Sequence, residues 1–529
     1  MVEQQQQNTG GKKKSPKLLI ILLTVLFVAA AGSVSAFFLL NKSPKAKYLL
    51  AETQTLTQMS QLIQDRYKNE VDWLEVQNKK PVETTWDVSA EWNDPAAGYD
   101  MQEIQSIVNS TTLQLGQVKD PVKKEWEMNM SGSLGSVDVE IGQMYLTPER
   151  ILLALPFTEK VLRFDDKDYG KMMKETDDSF TGDEKLGLSQ LFEERYGFTE
   201  EFRTYIEKEY LQFLYKELPD EAFTSEKEEV SVFGDKMKVE KVEMNLSEAQ
   251  VKDLLTKLFE KARNDEKLKA LLKEQLTLSS LGEEVPRAEV AELIREFEDS
   301  LDDGLKSMDK FVMPDGLKST VWHQKRSIVK RDFLMTVGPS KEEVVTIKVK
   351  GEQLLKQDGQ KWNYEITGID EYEDEGVLVF KGDLKWKDGK AKDEISLSFD
   401  DGEVLYEGNE ELKGKKRTFT RTFSINDGYS TPTVIWSGDA THEKDSMKAN
   451  HEFSFEEESL GSNTINLHVK QEGKIVKKVD MPDPNKNVVN LGDMTMDELD
   501  TFIEEDLQED FMRWLEDLME DLQNEFDGL

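Results

Sequence analysis

The side chains most able to do chemistry are four histidines, because the chain contains no cysteine. Two of them precede a glutamate, in His442-Glu443 and His451-Glu452. The helix of a zinc protease needs a second histidine four residues after the first, and neither pair has one. The remaining histidines are His323 and His468. Since a metal centre or a catalytic base needs convergent partners, we interpret all four as surface histidines.

Other motifs give no stronger indication of catalysis. Ser307-Met308-Asp309-Lys310 matches S-x-x-K without its companion motifs, and there is no P-loop, G-x-S-x-G or G-x-G-x-x-G. Acidic runs at 165–168, 370–375 and 456–458 lack the ligand spacing of an EF-hand, so solvated loops are favoured over loose calcium contacts. Paired glycosidase carboxylates would be distant in sequence and cannot be picked out. We therefore predict a non-enzymatic protein with no metal and no cofactor.

The charge distribution argues against a nucleic-acid partner. The 529 residues carry a net charge of −38, whereas phosphate binding needs clustered lysine and arginine. The charge is also divided unevenly along the chain. Residues 1–47 hold seven lysines and one glutamate, so the remainder of the chain carries −44.

An apolar run near the N-terminus predicts a membrane anchor. The 23 residues from Leu18 to Leu40 include no ionisable side chain and would form a helix roughly 35 Å long. The residues assigned to this anchor are Leu18, Leu22, Leu26, Leu39 and Leu40. A cleaved signal peptide, cut after Val34-Ser35-Ala36, is the alternative.

Lysines before the apolar run predict its orientation in the membrane. By the positive-inside rule they place the N-terminus in the cytoplasm and the bulk of the chain outside, and they are Lys12, Lys13, Lys14 and Lys17. The expected localisation is thus the cell membrane, with a single pass and an extracytoplasmic body. The membrane itself, through one helix, is then a predicted partner.

Periodicity and composition divide the chain into seven segments. We predict a disordered tail (1–17), the transmembrane helix (18–40), a helical stalk (41–80), a first β-rich part with helices (81–245), a helical segment (246–319), an antiparallel β meander (320–485) and an acidic amphipathic C-terminal helix (495–529).

The meander is the most regular of these segments. Apolar and polar residues alternate, as at Val345, Ile347 and Val349, which is typical of strands with one apolar face. Asp-Gly pairs mark turns at 358–359, 388–389, 401–402 and 427–428. An apolar sheet face must be covered, and the helices in the middle of the chain are the expected cover. The predicted fold class is α+β, with one N-terminal transmembrane helix and an extensive antiparallel sheet covered by helices.

The last segment contains a candidate docking helix. Thr495-Met496-Asp497-Glu498 is a capping box that begins a helix with one apolar stripe. The stripe residues singled out for docking on a basic, apolar groove are Leu507, Phe511, Trp514 and Leu518. The alternative, which we favour, is that this stripe packs on the protein's own sheet.

The order of strands, helices and a larger strand meander resembles the half-barrel architecture of the LolA/LppX type. It also resembles membrane-anchored extracytoplasmic proteins of Bacillus-like bacteria. The residues that carry the resemblance are the strand-to-helix junction 241–247 (KVEMNLS) and the ending 478–482 (KVDMP) before the last helix. In that family a curved sheet packs over helices and can enclose a pocket for acyl chains. The chain lacks the family's lipidated cysteine.

Two functional hypotheses follow. The first is a non-enzymatic, membrane-anchored envelope protein that binds an apolar ligand or lipid between sheet and helices. The second is an extracytoplasmic scaffold or regulatory module of envelope assembly, which would bind an envelope protein and have no small-molecule pocket. An apolar cavity lying between sheet and helix would favour the first hypothesis.

Overall fold

A computed structural model of the chain describes residues 42–95, 98–176, 180–192, 199–279, 287–457, 464–483 and 486–526. The chain divides into two compact units. In the described residues, unit 1 comprises 42–59, 199–279, 287–350 and 368–375, and unit 2 comprises the rest. Helix α1 contributes its residues up to Met59 to unit 1 and those from Ser60 to unit 2.

The α-helices in chain order are α1 (Pro44–Arg66), α2 (Lys68–Gln77), α3 (Tyr99–Ser110), α4 (Tyr169–Thr176), α5 (Glu200–Tyr205), α6 (Gln212–Glu217), α7 (Glu248–Arg263), α8 (Glu266–Ser279), α9 (Arg287–Ser307), α10 (Met496–Thr501) and α11 (Gln508–Phe526). Turns of π-helix at Ile206–Leu211 and Phe502–Leu507 join α5 to α6 and α10 to α11. Short 3-10 helices lie at Asp166–Asp168, Leu188–Phe192, Asp220–Ala222 and Leu491–Asp493.

The strands are β1 (Val82–Asn93), β2 (Thr111–Asp120), β3 (Glu125–Leu134), β4 (Val137–Leu146), β5 (Arg150–Ala154), β6 (Val161–Asp165), β7 (Phe223–Val232), β8 (Asp235–Leu246), β9 (Leu317–Gln324), β10 (Ser327–Val337), β11 (Val345–Lys356), β12 (Gly359–Ile369), β13 (Glu375–Lys387), β14 (Lys390–Phe399), β15 (Gly402–Lys413), β16 (Lys416–Asn426), β17 (Thr433–His442), β18 (Ser446–Glu456), β19 (Thr464–Ile475) and β20 (Val488–Asn490).

Unit 1 is an antiparallel sheet with a helical cover. Strands β7, β8, β9 and β10 pair in chain order, and Ser247 caps α7 in a complete capping box directly after β8. One face of α7 is apolar, with Leu258 and Phe259 almost fully buried. These side chains belong to a core that also contains Val321 and Ile328 of the sheet. The helical periodicity of the sequence thus buries α7 against the strands that flank it in the chain.

The first part of α1 is tied to the unit 1 sheet by polar contacts. The hydroxyl of Tyr48 lies 2.6 Å from that of Ser319. Thr55 accepts a hydrogen bond of 2.9 Å from the backbone N–H of Ile328. The segment predicted as a helical stalk is therefore packed, since Tyr48 is also part of the unit 1 core.

Unit 2 is built on one continuous ladder of strands. The paired order is β20-β6-β5-β4-β3-β2-β1-β19-β18-β17-β16-β15-β14-β13. All these pairs are antiparallel except β6 with β20. Strands β1 and β19, which are distant in sequence, pair with each other and so join the two halves of the ladder.

Register places the apolar residues of unit 2 on one face. Phe423 of β16 lies opposite Tyr406 of β15 and Val434 of β17. Val434 in turn lies opposite Phe455 of β18, and Phe455 opposite Ile465 of β19. Since residues directly opposite one another share a face, this cross-strand row is apolar over five strands.

The Asp-Gly signal at 388–389 is confirmed as a two-residue hairpin. Lys387 pairs with Lys390, and the two intervening residues have φ angles of 53° and 75°. This conformation strains most side chains, and glycine and aspartate tolerate it best. The turn thereby fixes the register between β13 and β14.

The expected helical cover of the meander is wrong. The helices in the middle of the chain, α7 to α9, contribute to the core of unit 1. In unit 2, Trp73 of α2 covers one end of the apolar face by packing with Met447 and Ala449. Elsewhere on that face large side chains stay exposed, among them Phe423 (42%) and Ile425 (52%). The half-barrel covered by helices is therefore replaced by a sheet with one partly open apolar face.

The predicted membrane anchor also requires correction. Among the residues that the structure describes, no helix is long and apolar enough to cross a bilayer. The segment 18–40 and the lysines before it lie outside the described residues. The single-pass fold class, the membrane as a partner through one helix and the cell-membrane localisation all rest on that segment, and no helix of the described residues supports them.

The core of unit 1 makes a first prediction. Replacing Leu258 by alanine removes a fully buried side chain and leaves a cavity, so we expect the free energy of unfolding to fall by about 2–5 kcal/mol. The matched control is Leu293→Ala, because Leu293 of α9 is exposed and should cost less than about 0.5 kcal/mol. Urea unfolding followed by circular dichroism measures both. Equal losses in the two variants would contradict the assigned core.

Candidate functional site

The candidate site of unit 2 lies where α2 meets the apolar face of the sheet. A break between α1 and α2 falls at Tyr67, which has φ −105° and ψ 31°. Arg66 and Glu70 are thereby placed on either side of the break. Opposite them, Arg417 and Arg421 lie four positions apart on β16. Because strand side chains alternate, both arginines lie on the apolar face with Phe419.

A buried ion-pair network joins these elements, and we call it the arginine cluster (Arg66, Glu70, Asp393, Glu410, Arg417 and Arg421). Arg66 donates two hydrogen bonds to Asp393 of β14, with 3.0 Å between Nη1 and Oδ1. Both side chains are buried. Glu410 of β15 is fully buried, with Oε2 lying 3.5 Å from Nη2 of Arg66. Two buried charges lose their hydration, and the paired hydrogen bonds between Arg66 and Asp393 compensate for that loss.

Glu410 is the centre of the arginine cluster. Arg417 donates to its Oε2 at 2.8 Å, and Arg421 donates twice to its Oε1, at 3.0 and 2.7 Å. Arg417 also donates from Nε to Glu70 at 2.6 Å and from Nη2 to the backbone carbonyl of Arg66 at 2.7 Å. Three guanidinium groups and three carboxylates thus balance within one network.

A cavity of about 460 Å³ adjoins this network, and we call it the aromatic pocket. Its volume falls in the range of small-molecule sites. Helix α2 and the residue before it form one wall, and strands β15 to β19 form the other. The lining residues are Tyr67, Glu70, Tyr406, Arg417, Phe419, Arg421, Phe423, Trp436, Ala440, His442, Met447, Ala449, His451 and Gln471.

Aromatic rings organise the lining of the pocket. The guanidinium of Arg421 lies over the rings of Phe419 and Trp436, at 4.4 and 4.5 Å from their centroids. Trp436 stacks on Phe453 with 5.6 Å between centroids, and its indole N–H donates to Nδ1 of His451 at 3.2 Å. The rings are therefore held by stacking, by cation–π contacts and by a hydrogen bond.

The electrostatics of the site follow from burial and from the arginines. Burial raises the pKa of Glu410, but the charge of Arg421, its hydrogen bonds and the charges of Arg66 and Arg417 outweigh burial and hold this pKa below its usual range. Burial raises the pKa of Tyr67 to about 12. Glu410 is thus a carboxylate and Tyr67 a neutral phenol at neutral pH.

The interpretation of the histidines as surface residues is wrong for two of them. His323 and His442 are buried, and burial lowers the pKa of each. Burial also lowers the pKa of His451 in the pocket. His468 is one third exposed, with its Nε2 3.6 Å from Glu91. Local pattern does not separate buried from exposed histidines, because burial depends on which elements pack over each strand.

Metal ligands do not converge in the described part of the chain, where no group of three or more histidine or acidic side chains could hold an ion. The acidic run at 165–168 was predicted as a solvated loop. Instead, Asp165 is buried and its carboxylate accepts two hydrogen bonds from Arg163, of 2.8 and 2.5 Å. Asp166 accepts two backbone N–H groups, from Gly187 and Leu188.

The candidate docking helix makes contacts within unit 2. Phe511 and Trp514 both pack on Phe157, with ring centroids 5.4 and 6.2 Å apart. Leu507 and Leu518 are half-buried, and Phe511 is 38% exposed. The stripe is thus partly packed and partly open. Whether it binds a partner stays a prediction.

The arginine cluster is the functional feature that sequence reasoning missed. A signal for it exists in β16, where two arginines occupy the apolar positions of an alternating strand. A cation at such a position needs a buried partner. Glu410 is the partner of both β16 arginines. Asp393 pairs instead with Arg66 of α1, which is 327 positions away in sequence, so no local pattern indicates that contact.

Comparison with known proteins adds little. No family model and no curated protein match the chain. Among solved structures, Pseudomonas aeruginosa OccK11 (OpdR) has a TM-score of 0.23 and 5% identity over 75% of this chain and 94% of its own. OccK3 (OpdO) of the same organism has 0.23 and 6% over 76% and 97%, and the CymD monoaromatic hydrocarbon channel has 0.17 and 9% over 78% and 93%. Scores this low carry no argument about fold or function.

The arginine cluster makes the second prediction. Glu410→Gln removes the central carboxylate and leaves three arginines with two acids, so we expect the free energy of unfolding to fall by about 3–5 kcal/mol. The neighbouring Glu411 faces the other side of the strand and pairs with Lys413, so Glu411→Gln is the matched control and should leave stability unchanged. Urea unfolding measures both variants. A stable Glu410→Gln protein would show that the cluster is dispensable.

Burial of His442 makes the third prediction. Its folded-state pKa is lowered, so the unfolded chain takes up the proton at a higher pH than the folded protein does. The contribution of this group is complete above the unfolded pKa of about 6.5 and is lost as pH falls through the folded pKa. When the pH is lowered from about 7 to about 5, we expect the free energy of unfolding to fall less in His442→Phe than in the parent protein.

Urea titrations at several pH values in that window test the effect of His442. Thr441→Ala is the control, because it changes the neighbouring position of β17 without removing a titratable group. This variant should keep the parent's dependence of stability on pH. An unchanged pH dependence in His442→Phe would show that the buried imidazole is not the group being titrated.

Proposed function

We propose that this protein is a non-enzymatic binding protein, which holds an apolar small molecule in the aromatic pocket of unit 2. The observation that carries the proposal is a cavity of about 460 Å³ between a helix and a sheet, lined mainly by aromatic and apolar side chains. Binding sites for small molecules typically combine such a lining with a few fixed polar groups. Here the fixed groups are Arg417, Arg421 and His442.

Rigidity of the lining supports this function. A pocket binds without a large ordering cost when its side chains are already held in place. Glu410 holds Arg421 through two hydrogen bonds, and Arg421 lies over the ring of Trp436. Trp436 is held in turn by Phe453 and His451. The ring that would contact a ligand is therefore positioned before the ligand arrives.

The apolar surface extends beyond the pocket. Trp436 lies opposite Phe453 in the strand register, and Phe453 opposite Leu467. Leu467 and its neighbour on the same face, Ile465, are about two fifths exposed. A ligand longer than the pocket would find further apolar contacts along these strands, and each Å² removed from water contributes about 25 cal/mol.

The proposed function of the pocket includes no chemical reaction. The polar groups of the lining are engaged in ion pairs rather than arranged as a nucleophile with a base. His451 of the lining accepts a hydrogen bond from Trp436. We therefore assign to the pocket the binding of a ligand and no chemical change of it.

Titration with naphthalene, an uncharged apolar probe, tests the proposed function. We expect one site per chain by isothermal titration calorimetry and about tenfold weaker binding in Trp436→Leu, since that variant loses the central aromatic surface of the lining. Trp126→Leu is the matched control, because Trp126 of β3 belongs to the same unit but is not part of the lining. If naphthalene does not bind, or binds both variants as it binds the parent, the proposed function is wrong.

A further inference from the structure

Helix α11 has a second apolar row besides the residues that pack on unit 2. Phe511 and Trp514 pack on Phe157. Further residues recur at spacings of three and four, and we call this row the methionine edge (Met512, Leu515, Met519 and Leu522). At about 100° per residue, the methionine edge is turned by about 90° from the mean direction of Phe511 and Trp514. It is therefore a separate face of the helix.

The methionine edge is open to solvent. Met512 is 46% exposed and Met519 is 59% exposed. A groove of about 660 Å³ follows the edge, and the described residues that line it all belong to α11: Leu515, Glu516, Met519, Glu520, Leu522 and Gln523. A row of exposed apolar side chains is typical of an interaction surface, and methionine adapts readily to the shape of a partner.

Negative charge borders the methionine edge on the side away from Phe157. We call these residues the acidic flank (Glu509, Glu516 and Glu520). Within the described residues, none of the three side chains forms an ion pair or a hydrogen bond. Residues 496–526 contain 13 acidic residues and one basic residue, Arg513, which pairs with Asp510 at 2.6 Å. The helix thus presents an apolar row beside negative charge that lacks a counterpart.

We infer that the methionine edge binds a basic amphipathic helix of a partner protein. The apolar row of the partner packs on the methionines, and its lysine or arginine side chains pair with the acidic flank. Spacings of three and four residues are those at which the side chains of two helices interlock. Complementary charge beside the apolar row then selects a basic partner and speeds its association. This surface is distinct from the aromatic pocket.

Charge argues against the other occupants of this surface. A second copy of the chain would bring two acidic flanks together, and like charges repel. An anionic membrane attracts helices whose polar face is basic, whereas this one is acidic. The N-terminal segment 1–17 is basic, but besides Pro16 its only apolar residues are Met1 and Val2. That segment cannot supply the apolar row.

A synthetic helix tests the inference on the full chain. The probe is a fluorescein-labelled peptide of two Leu-Lys-Lys-Leu-Leu-Lys-Leu heptads, followed by fluorescence anisotropy. We expect one peptide to bind per chain, with an affinity that falls about threefold or more when NaCl rises from about 50 mM to about 300 mM. A matched peptide with glutamate in place of every lysine keeps the leucines and should bind at least about tenfold more weakly.

A double variant tests the apolar row. Met512→Ser/Met519→Ser removes apolar contact area, so we expect the affinity for the lysine peptide to fall about tenfold. Met101→Ser is the matched control, because Met101 of α3 is also an exposed methionine of a helix in unit 2. It should leave the affinity unchanged. Circular dichroism checks that each variant is folded, as expected for substitutions of exposed side chains.

A pair of charge variants tests the acidic flank. Glu516→Gln/Glu520→Gln should lower the affinity for the lysine peptide about threefold to tenfold. Asp517→Asn/Asp521→Asn is the matched control, because it removes the same charge from exposed residues on the opposite side of α11. It should change the affinity less than about twofold. An equal loss in both variants would mean general attraction to an acidic helix and would contradict the inference.

The remaining outcomes also decide the matter. The inference is wrong if the lysine peptide does not bind, or if it binds Met512→Ser/Met519→Ser as tightly as the parent. Vesicles made of equal parts phosphatidylcholine and phosphatidylglycerol should not bind the chain, and binding lost in this variant would assign the edge to a membrane. A dimer that dissociates in this variant, measured by sedimentation, would assign the edge to a second copy. Naphthalene binding tests the aromatic pocket separately.

Discussion

The strand register of unit 2 is the constraint on which its other features depend. Side chains alternate between the two faces of a strand, so a slip of one residue would move every side chain to the opposite face. In β16, such a slip would take Arg417 and Arg421 away from Glu410 and turn Phe419 out of the apolar face. The apolar face and the ion pairs thus specify the same register. That agreement explains how a ladder of many similar strands has one defined pairing.

The arginine cluster in turn depends on the interruption of the helix at Tyr67. Arg66 is the last residue of α1, and carbonyl groups in the last turn of a helix can accept hydrogen bonds from outside it. Arg417 donates to it at 2.7 Å and reaches Glu70 on the next turn. The helix therefore supplies two acceptors to one buried cation. Arg417 would destabilise the fold if it were buried without partners. With these two acceptors it fixes α2 over the strands.

Local pattern predicted much of this structure, and the parts it missed share a cause. Alternation identified the strands of the meander, the Asp388-Gly389 turn was confirmed with both φ angles positive, and the capping boxes at Ser247 and Thr495 are both formed. Each of these signals depends on residues a few positions apart. The pairing of β1 with β19 and of Arg66 with Asp393 joins residues hundreds of positions apart. Neither has a local signature, so the placement of helices and the pocket could not be predicted.

The open part of the apolar face gives a reason for the position of the pocket. Side chains such as Phe423 and Ile425 stay in contact with water, which is unfavourable, while the same face is closed beneath Trp73. The pocket lies between these regions, where α2 begins and the rings are held by Arg421. A ligand placed there removes apolar surface from water without displacing any packed element. Because such a ligand binds the folded chain alone, the exposed face that lowers stability in its absence becomes a source of stability in its presence.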